Sequence, residues 1–406
     1  MVWTVALVQL MNVLDFMIVM PLGDDFAKSL AIPQSSVGYV AGAYTAAALV
    51  SGLAGAQILD RFDRKRVLVV AMIGLAFGTA AGGLATGLPS LIAARVLAGL
   101  FGGPATATSL AIVADVVPVE RRGRAMALVM AGFSVASVLG IPAGMVLARH
   151  GGWRTPLFVI GALALAVTLF GAWALPTLRG HLERGGRART PARELLARPE
   201  VTTGLVTAGL IMFSVFVIVP HIPAYLINNV GFPRDYYELL YLGGGAVSFL
   251  VLQLAGRWVD QVGALPVMIA GTVVNVLALG TGFLTHQPLL PVIVFFMLFM
   301  SSGSLRGVAQ STLASRIPAA SERAQYMSLQ SAVQHAASTL GAFASAALLT
   351  TDPVTKQITP VWAIALVAIA VAIGAPFALA ATERALARRG PQDAGRPAAP
   401  AIVAEP

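Results

Sequence analysis

The 406 residues contain no cysteine, which excludes disulfides, thiolate metal sites and cysteine nucleophiles. Charge is also scarce: 11% of residues are charged against 57% hydrophobic, and a mean hydropathy of +0.81 lies outside the range of soluble domains. The five histidines, His150, His181, His221, His286 and His335, form no pair at i, i+4 and no His-Glu-x-x-His motif, so no metal site is expected. A Gly-x-x-x-x-Gly-Lys-Ser/Thr loop is missing too, and with it any means of hydrolysing ATP in this chain; energy must come from a gradient. No nucleophile and base are arranged for catalysis, so neither an enzyme nor a cofactor is expected. The first apolar run lacks a basic leader and a small-residue cleavage site and carries Asn12 and Asp15, which reads as a retained span rather than a signal peptide.

Long apolar runs are what the chain does have. Segments of about 20 residues cross hydrocarbon. They can be drawn at roughly 2–22, 36–58, 67–87, 89–115, 125–148 and 154–176, then at roughly 201–227, 237–258, 265–284, 288–314, 324–349 and 360–382. This pattern predicts an all-α integral membrane protein of twelve transmembrane helices in two pseudo-symmetric six-helix bundles, residues 1–176 and 201–385. Between them, 177–200 carries Arg179, Arg184, Arg187, Arg189, Arg193 and Arg198 with Pro191 and Pro199, and reads as a linker holding one amphipathic helix at most. The tail 386–406, rich in Pro and Ala, is expected to be disordered.

The two sixes resemble each other. Asp60 in Leu59-Asp60-Arg61-Phe62-Asp63-Arg64-Lys65-Arg66 is answered by Asp260 in Val259-Asp260-Gln261-Val262-Gly263; Pro118 matches Pro318, and Met126-Ala127-Leu128 and Gly140 match Met327-Ser328-Leu329 and Gly341. Duplicated spans set a cavity between similar halves, and rocking of the halves opens it to each side in turn. Twenty of the 27 Lys and Arg fall on the side of the N-terminus. Five, Lys28, Arg149, Arg154, Arg234 and Lys356, fall on the other, and Arg95 and Arg306 lie within spans. That asymmetry places both termini in the cytoplasm. A net charge of +9 is therefore read as a topology signal and not as a nucleic-acid surface.

At this point the chain resembles the major facilitator superfamily, and more narrowly its twelve-span drug:proton antiporters and arabinose-efflux-like permeases. The family's loop motif, Gly-x-Leu-Ala-Asp-Arg-x-Gly-Arg-Lys, falls on Ala56 to Lys65, with Ala56 and Asp63 standing where the family has glycine. Asp tolerates a left-handed turn, which is the expectation at Asp63. Asp60, Arg61, Arg64, Lys65 and Asp260 are expected to latch the halves closed: Asp60 would face the start of the eleventh span near Ser321-Glu322-Arg323, and Asp260 the fifth near Glu120-Arg121-Arg122, since helix N-termini attract carboxylates. The plainer reading is a basic topology determinant, and both can hold. In the fifth span, Gly140-Ile141-Pro142-Ala143-Gly144 is similar to the antiporter motif, with Gly140, Pro142 and Gly144 forming a bendable helix contact that controls leak.

Leu91 to Gly99 looks like the family's Leu-x-x-x-Arg-x-x-Gln-Gly pattern, with Ala98 for Gln, and in related antiporters that arginine, here Arg95, is linked to proton coupling. Arg95 lies about seven residues, ~10 Å, from the outer end of its span, and Asp15 about six residues, ~9 Å, from the outer end of the first. Charges in hydrocarbon are costly and are normally paired or face water. Burial favours the neutral acid and a nearby guanidinium favours the carboxylate, so approach and withdrawal of Arg95 would load and release a proton on Asp15; a permanent structural ion pair is the alternative. Asn12, one turn away, is expected to hydrogen-bond the neutral acid. Candidate substrate-binding groups are Asn12, His221, Tyr225, Arg306, Gln334 and His335, each of which could equally hold helices together. His221, between Pro220 and Pro223, is placed at a helix break.

The resulting reading is a proton-coupled efflux antiporter of small amphiphilic molecules working by alternating access in a bacterial inner membrane. Its partners are the small-molecule substrate, protons and the lipid bilayer, with no nucleic acid and with a monomer as the simplest state. A sugar or metabolite permease is the alternative; a non-transporting receptor or assembly factor would leave the paired hinges and intramembrane charges without a role.

Overall fold

The computed structural model describes residues 1–118, 121, 125–126, 128–129, 132–133, 135–179, 191–285, 287–319 and 322–388, without the side chains of 56–58, 60, 114 and 324. Residues 180–190 of the linker and 389–406 of the tail drawn from sequence, and the expected latch partners Glu120, Arg122 and Ser321, lie outside that set, as does the side chain of Asp60.

Helices dominate. In chain order they are α1 (Val2–Ile18), α2 (Gly23–Ser29), α3 (Val37–Ile58), α4 (Arg64–Gly83), α5 (Leu88–Val116), α6 (Ile141–Gly151) and α7 (Arg154–Ala174). There follow α8 (Ala192–Leu196), α9 (Pro199–Phe216), α10 (Tyr237–Val262), α11 (Ala264–Phe283), α12 (Val292–Ala314), α13 (Arg323–Leu348) and α14 (Val361–Arg388). Two-residue strands, β1 (Thr350–Thr351) and β2 (Ile358–Thr359), pair between α13 and α14. Among the described residues nine helical segments are long and apolar enough to cross a membrane, or ten if the pair α1 and α2, bent by 55°, makes one span. The fifth expected span is incompletely described, and α13 is long enough but has its hydropathy lowered by Gln330, Gln334, His335 and Ser338.

The surface explains how such a sequence persists folded. Large apolar side chains such as Trp173, at 82% exposure, and Phe377, at 73%, point outward, as hydrocarbon permits and water would not. Small residues let backbones close up inside: a Cβ on Gly99 would strike the Tyr44 carbonyl oxygen and one on Gly102 the Tyr44 hydroxyl, so α5 lies directly against α3.

Irregular turns fall at the prolines and glycines. Before Pro142, which cannot donate to the preceding turn, Ala136–Gly140 widens into a π-turn that accommodates the ring. The seventh segment breaks after α9 into a short 3₁₀ turn, Val219–His221, and a π-turn, Tyr225–Asn229, around Pro220 and Pro223. At the charged hinge the structure differs from expectation. Asp63 has φ −58° and caps α4, its carboxylate accepting from the Lys65 backbone N–H at 2.9 Å, so no left-handed turn forms there. Its counterpart Gly263 does take φ +87° between α10 and α11, a conformation that disfavours any side chain. The two copies of the hinge thus turn by different means.

Candidate functional site

Asp15 of α1 and Arg95 of α5 meet in the interior. The guanidinium donates from Nη1 to Oδ1 at 2.9 Å and from Nη2 to Oδ2 at 3.4 Å, with the two residues 1% and 2% exposed. Thr79 of α4 completes the carboxylate's shell, its hydroxyl donating to Oδ1 at 2.7 Å. Arg95 also lies over the Tyr44 ring of α3, 4.6 Å from its centroid, so the cation is held on two sides. Its Nε has no hydrogen-bond partner among the described residues.

Asn12 is not the acid's partner. Its amide nitrogen donates to the Gly102 carbonyl at 3.1 Å and to Thr106 Oγ1 at 2.6 Å, and its oxygen accepts from the Tyr44 hydroxyl at 3.0 Å. The rotation of α1 that aims Asp15 at Arg95 leaves Asn12 facing the glycines of α5, and Thr79 takes the place expected for it. Tyr44 therefore touches both groups, linking the ion pair to Asn12. Thr79 and Tyr44 were missed from sequence, where each is one polar group in an otherwise apolar run.

Chemically, four helices hold one carboxylate, one guanidinium and three neutral hydrogen-bonding groups in a sealed polar island.

The glycines of the fifth segment face the same helix. A Cβ on Gly132 would lie 3.2 Å from Leu10 Cα, one on Gly140 2.5 Å from Leu14 Cδ1, and one on Gly144 against Ile18 Cδ1. Gly132, Gly140 and Gly144 thus seat α1, the helix that carries Asp15. On its other side this segment meets α10, where Gly245 lies against the Ser137 carbonyl and Val138.

A second polar group, also missed from sequence, ties the first six segments to the last six at the end opposite the basic hinges. Buried Asp24 accepts from Gln34 Nε2 and Asn228 Nδ2, both at 2.8 Å, and pairs with Lys28 at 2.8 Å. Asp25 pairs with Arg234 at 2.6 Å, Arg149 with Glu238 at 2.8 Å, and Ser35 donates its backbone N–H to Thr351 Oγ1 at 2.9 Å. Thr45 and Thr339 meet one level deeper at 2.8 Å. Asp24 and Asp25 after the first segment and Arg234 after the seventh, at matching ends, were the available signal.

The other candidates are spread out. His221 is buried at the helix break, Nε2 2.9 Å from Ser345 Oγ, beside the crossing of α3 and α13 where a Cβ on Gly38 would meet it. Tyr225 donates to the Gly282 carbonyl at 2.5 Å and packs on Phe283, which ties it to α11. Gln334 and His335 are half-buried on α13. Arg306 is buried on α12 and donates to Ser214 Oγ of α9 at 3.2 Å.

At the hinge, Arg64 pairs with Asp115 at the end of α5 at 3.3 Å, a contact within the first six segments, while Arg61 and Asp260 are exposed and the Lys65 backbone serves the α4 cap. Asp63 receives the Leu178 backbone N–H at 3.1 Å and faces Arg179 at 3.5 Å. Burial opposes its ionisation, yet these hydrogen bonds and the guanidinium outweigh it and hold the Asp63 carboxyl below the usual carboxylate range. At the start of the second half Arg198 pairs bidentately with Glu322, at 2.7 and 3.0 Å.

The chain is similar to known proteins along its length. A chloramphenicol resistance protein of Streptomyces lividans is 26% identical over 92% of this chain and 93% of its own. A chloramphenicol efflux pump of Mycobacterium tuberculosis is 28% identical over half of each, and a 3-(3-hydroxy-phenyl)propionate transporter of Escherichia coli 27% identical over 68% of this chain and 69% of its own. Among solved structures, a D-xylose–proton symporter superposes with a TM-score of 0.75 at 17% identity over 92% of this chain and 96% of its own. A bacterial homologue of the human lysosomal transporter Spinster, inward-facing and occupied, superposes at 0.72 and 18% identity over 98% of both. The model of the Major Facilitator Superfamily matches residues 5–254 and again 204–404. With an all-α membrane fold and that match over nearly its whole length, the chain belongs to the major facilitator superfamily and is an integral membrane transporter of small molecules, not an enzyme.

Proposed function

We propose that this chain is a proton-coupled exporter of small amphiphilic organic molecules, with Asp15 as the proton-carrying group and Arg95 as its switch. The observation that carries the reading is the buried Asp15–Arg95 pair, flanked by Thr79 and Tyr44, with the Asp15 helix seated on glycines of the antiporter-like motif. A charge pair inside hydrocarbon is costly to keep, and it is useful where its separation changes the protonation of the acid. The two chloramphenicol-related relatives support efflux, and a mostly apolar interior with few polar anchors suits binding by area.

Six-helix halves 1–176 and 201–385 would rock about the contacts that join them. With the termini in the cytoplasm, as the basic residues favour, the joined end is the outer one. Arg61, Arg64, Lys65, Asp60 and Asp260 would latch the inner end when the outer end opens, and His221 would move with the outer crossing.

Internal pH in proteoliposomes holding an imposed proton gradient tests this. Addition of chloramphenicol, cationic dyes, sugars or aromatic acids is expected to drive proton movement for one class in the wild type and for none in Asp15→Asn. Equal proton flux in both proteins would remove Asp15 from coupling. Compound movement without proton flux would favour the second reading, a metabolite permease, to which the 3-(3-hydroxy-phenyl)propionate transporter lends support.

A further inference from the structure

Among the described residues Arg306 is a buried cation without a counter-ion. It stands in the fifteenth of the 23 positions of α12, well inside the apolar layer, and is 1% exposed. The acids of residues 201–385 are Asp235, Glu238, Asp260, Glu322, Asp352 and Glu383, and all of them sit in loops or in the end turns of helices. The first half's interior acid, Asp15, is already taken by Arg95.

What Arg306 has instead is one neutral acceptor. Nη1 donates to Ser214 Oγ, whose own proton goes to the Ile211 carbonyl at 3.0 Å, and Nε has no partner among the described residues. The groups around it are unsatisfied as well. Gly271 of α11 lies against the Arg306 stem, and the same helix carries buried Thr272 and Asn275, with Thr272 Oγ1 and Asn275 Oδ1 both without partners. Gln310, one turn beyond Arg306 on the same face, leaves its amide nitrogen unpaired. Three orphaned polar atoms, on Thr272, Asn275 and Gln310, thus lie on turns adjoining a full positive charge.

This is the opposite of the Asp15 site, where the cation and its acid neutralise each other. An uncompensated guanidinium in hydrocarbon is among the costliest arrangements a helix bundle can hold, and such groups face partners or pathways. Its planar fork of donors fits a two-oxygen anion, and the Gln310 amide adds a donor one turn away.

We propose that Arg306 is the docking group for the carboxylate of an amphiphilic substrate, with Gln310 as a second donor and Asn275 as an acceptor for a neighbouring hydroxyl. The inference rests on the transport reading above and narrows its substrate class to organic acids that carry an apolar body. The site is closed in this arrangement and lies among α9, α11 and α12 of the second half, so it is reached as those helices part.

The test compares binding of 4-phenylbutyrate and its uncharged amide to detergent-purified wild type, Arg306→Lys and Arg306→Gln by calorimetry, each protein first shown to be monodisperse. Wild type is expected to bind the acid about tenfold or more tighter than the amide, as a charged hydrogen bond requires. Arg306→Lys should keep part of that preference and Arg306→Gln none. Equal binding of acid and amide by the wild type, no binding of the acid, or a preference that survives in Arg306→Gln overturns the proposal; a packing role predicts the first of these. Should Arg306→Gln fail to fold, the wild-type ratio and Arg306→Lys still decide. Proton release driven by neutral compounds in the wild type is read separately, so the transport proposal can stand while this one fails.

Discussion

Asp25 and Arg234, 209 residues apart, form an ion pair at 2.6 Å between α2 and the loop that precedes α10. With Asp24–Asn228 and Arg149–Glu238 it makes a clasp between the first and last six segments. Partly exposed pairs of this kind contribute about 0.2–1 kcal/mol each. Arg149→Gln with Arg234→Gln is therefore expected to raise the population opened at this end by about two- to thirtyfold. The absence of cysteine allows spin labels at Thr86→Cys and Val354→Cys, both exposed, and an unchanged distance distribution would show that the clasp does not set the equilibrium.

The interior pair responds differently. Arg95→Ala strands the Asp15 carboxylate in a sealed site and is expected to destabilise the protein by about 3–5 kcal/mol, while Asp15→Asn with Arg95→Gln, which leaves no orphan charge, recovers most of that loss. Thermal unfolding in detergent gives both values. A loss in the double variant equal to the sum of the Asp15→Asn and Arg95→Gln losses would mean that the two side chains are not energetically coupled.

Gly140→Ala and Gly144→Ala push against Leu14 and Ile18, and overpacking of this kind costs about 1–3 kcal/mol. Leu14→Ala is expected to rescue the first variant and not the second, since only Gly140 faces Leu14. Failure of that selective rescue in melting experiments would place the effect elsewhere.

Asp63 links the α4 cap to Leu178 and Arg179. Its folded carboxyl is held below its ordinary value, so the stability it contributes is present above about pH 4, the unfolded value, and is lost as pH falls through the folded one. Asp63→Ala is expected to lose about 0.5–2 kcal/mol at neutral pH and nothing below the folded value. Acid titration of the difference in melting temperature checks the sign; a difference that grows as pH falls would contradict it.

Much of this architecture is legible in the residues themselves. The apolar runs gave the helices because hydropathy is a property of each segment alone, and Pro220 and Pro223 marked the break at His221 because a proline forbids a hydrogen bond wherever it folds. Asp63 shows the limit. Its family position suggested a left-handed turn, but an aspartate can also cap a helix, and the neighbouring α4 settled which.

The sequence by itself determined that this chain lies in a membrane, roughly where it crosses, and that Asp15, Arg95 and Arg306 lie within spans, since composition and depth along a helix need no knowledge of neighbours. Tertiary structure alone decided that Asp15 takes Thr79 and not Asn12, that Tyr44 bridges them, that Gly140 seats Leu14, and that Arg306 meets Ser214 and no acid among the described residues. A period of 3.6 residues fixes which side chains share a face, but the rotation of that face toward a neighbouring helix comes only from how the whole bundle packs.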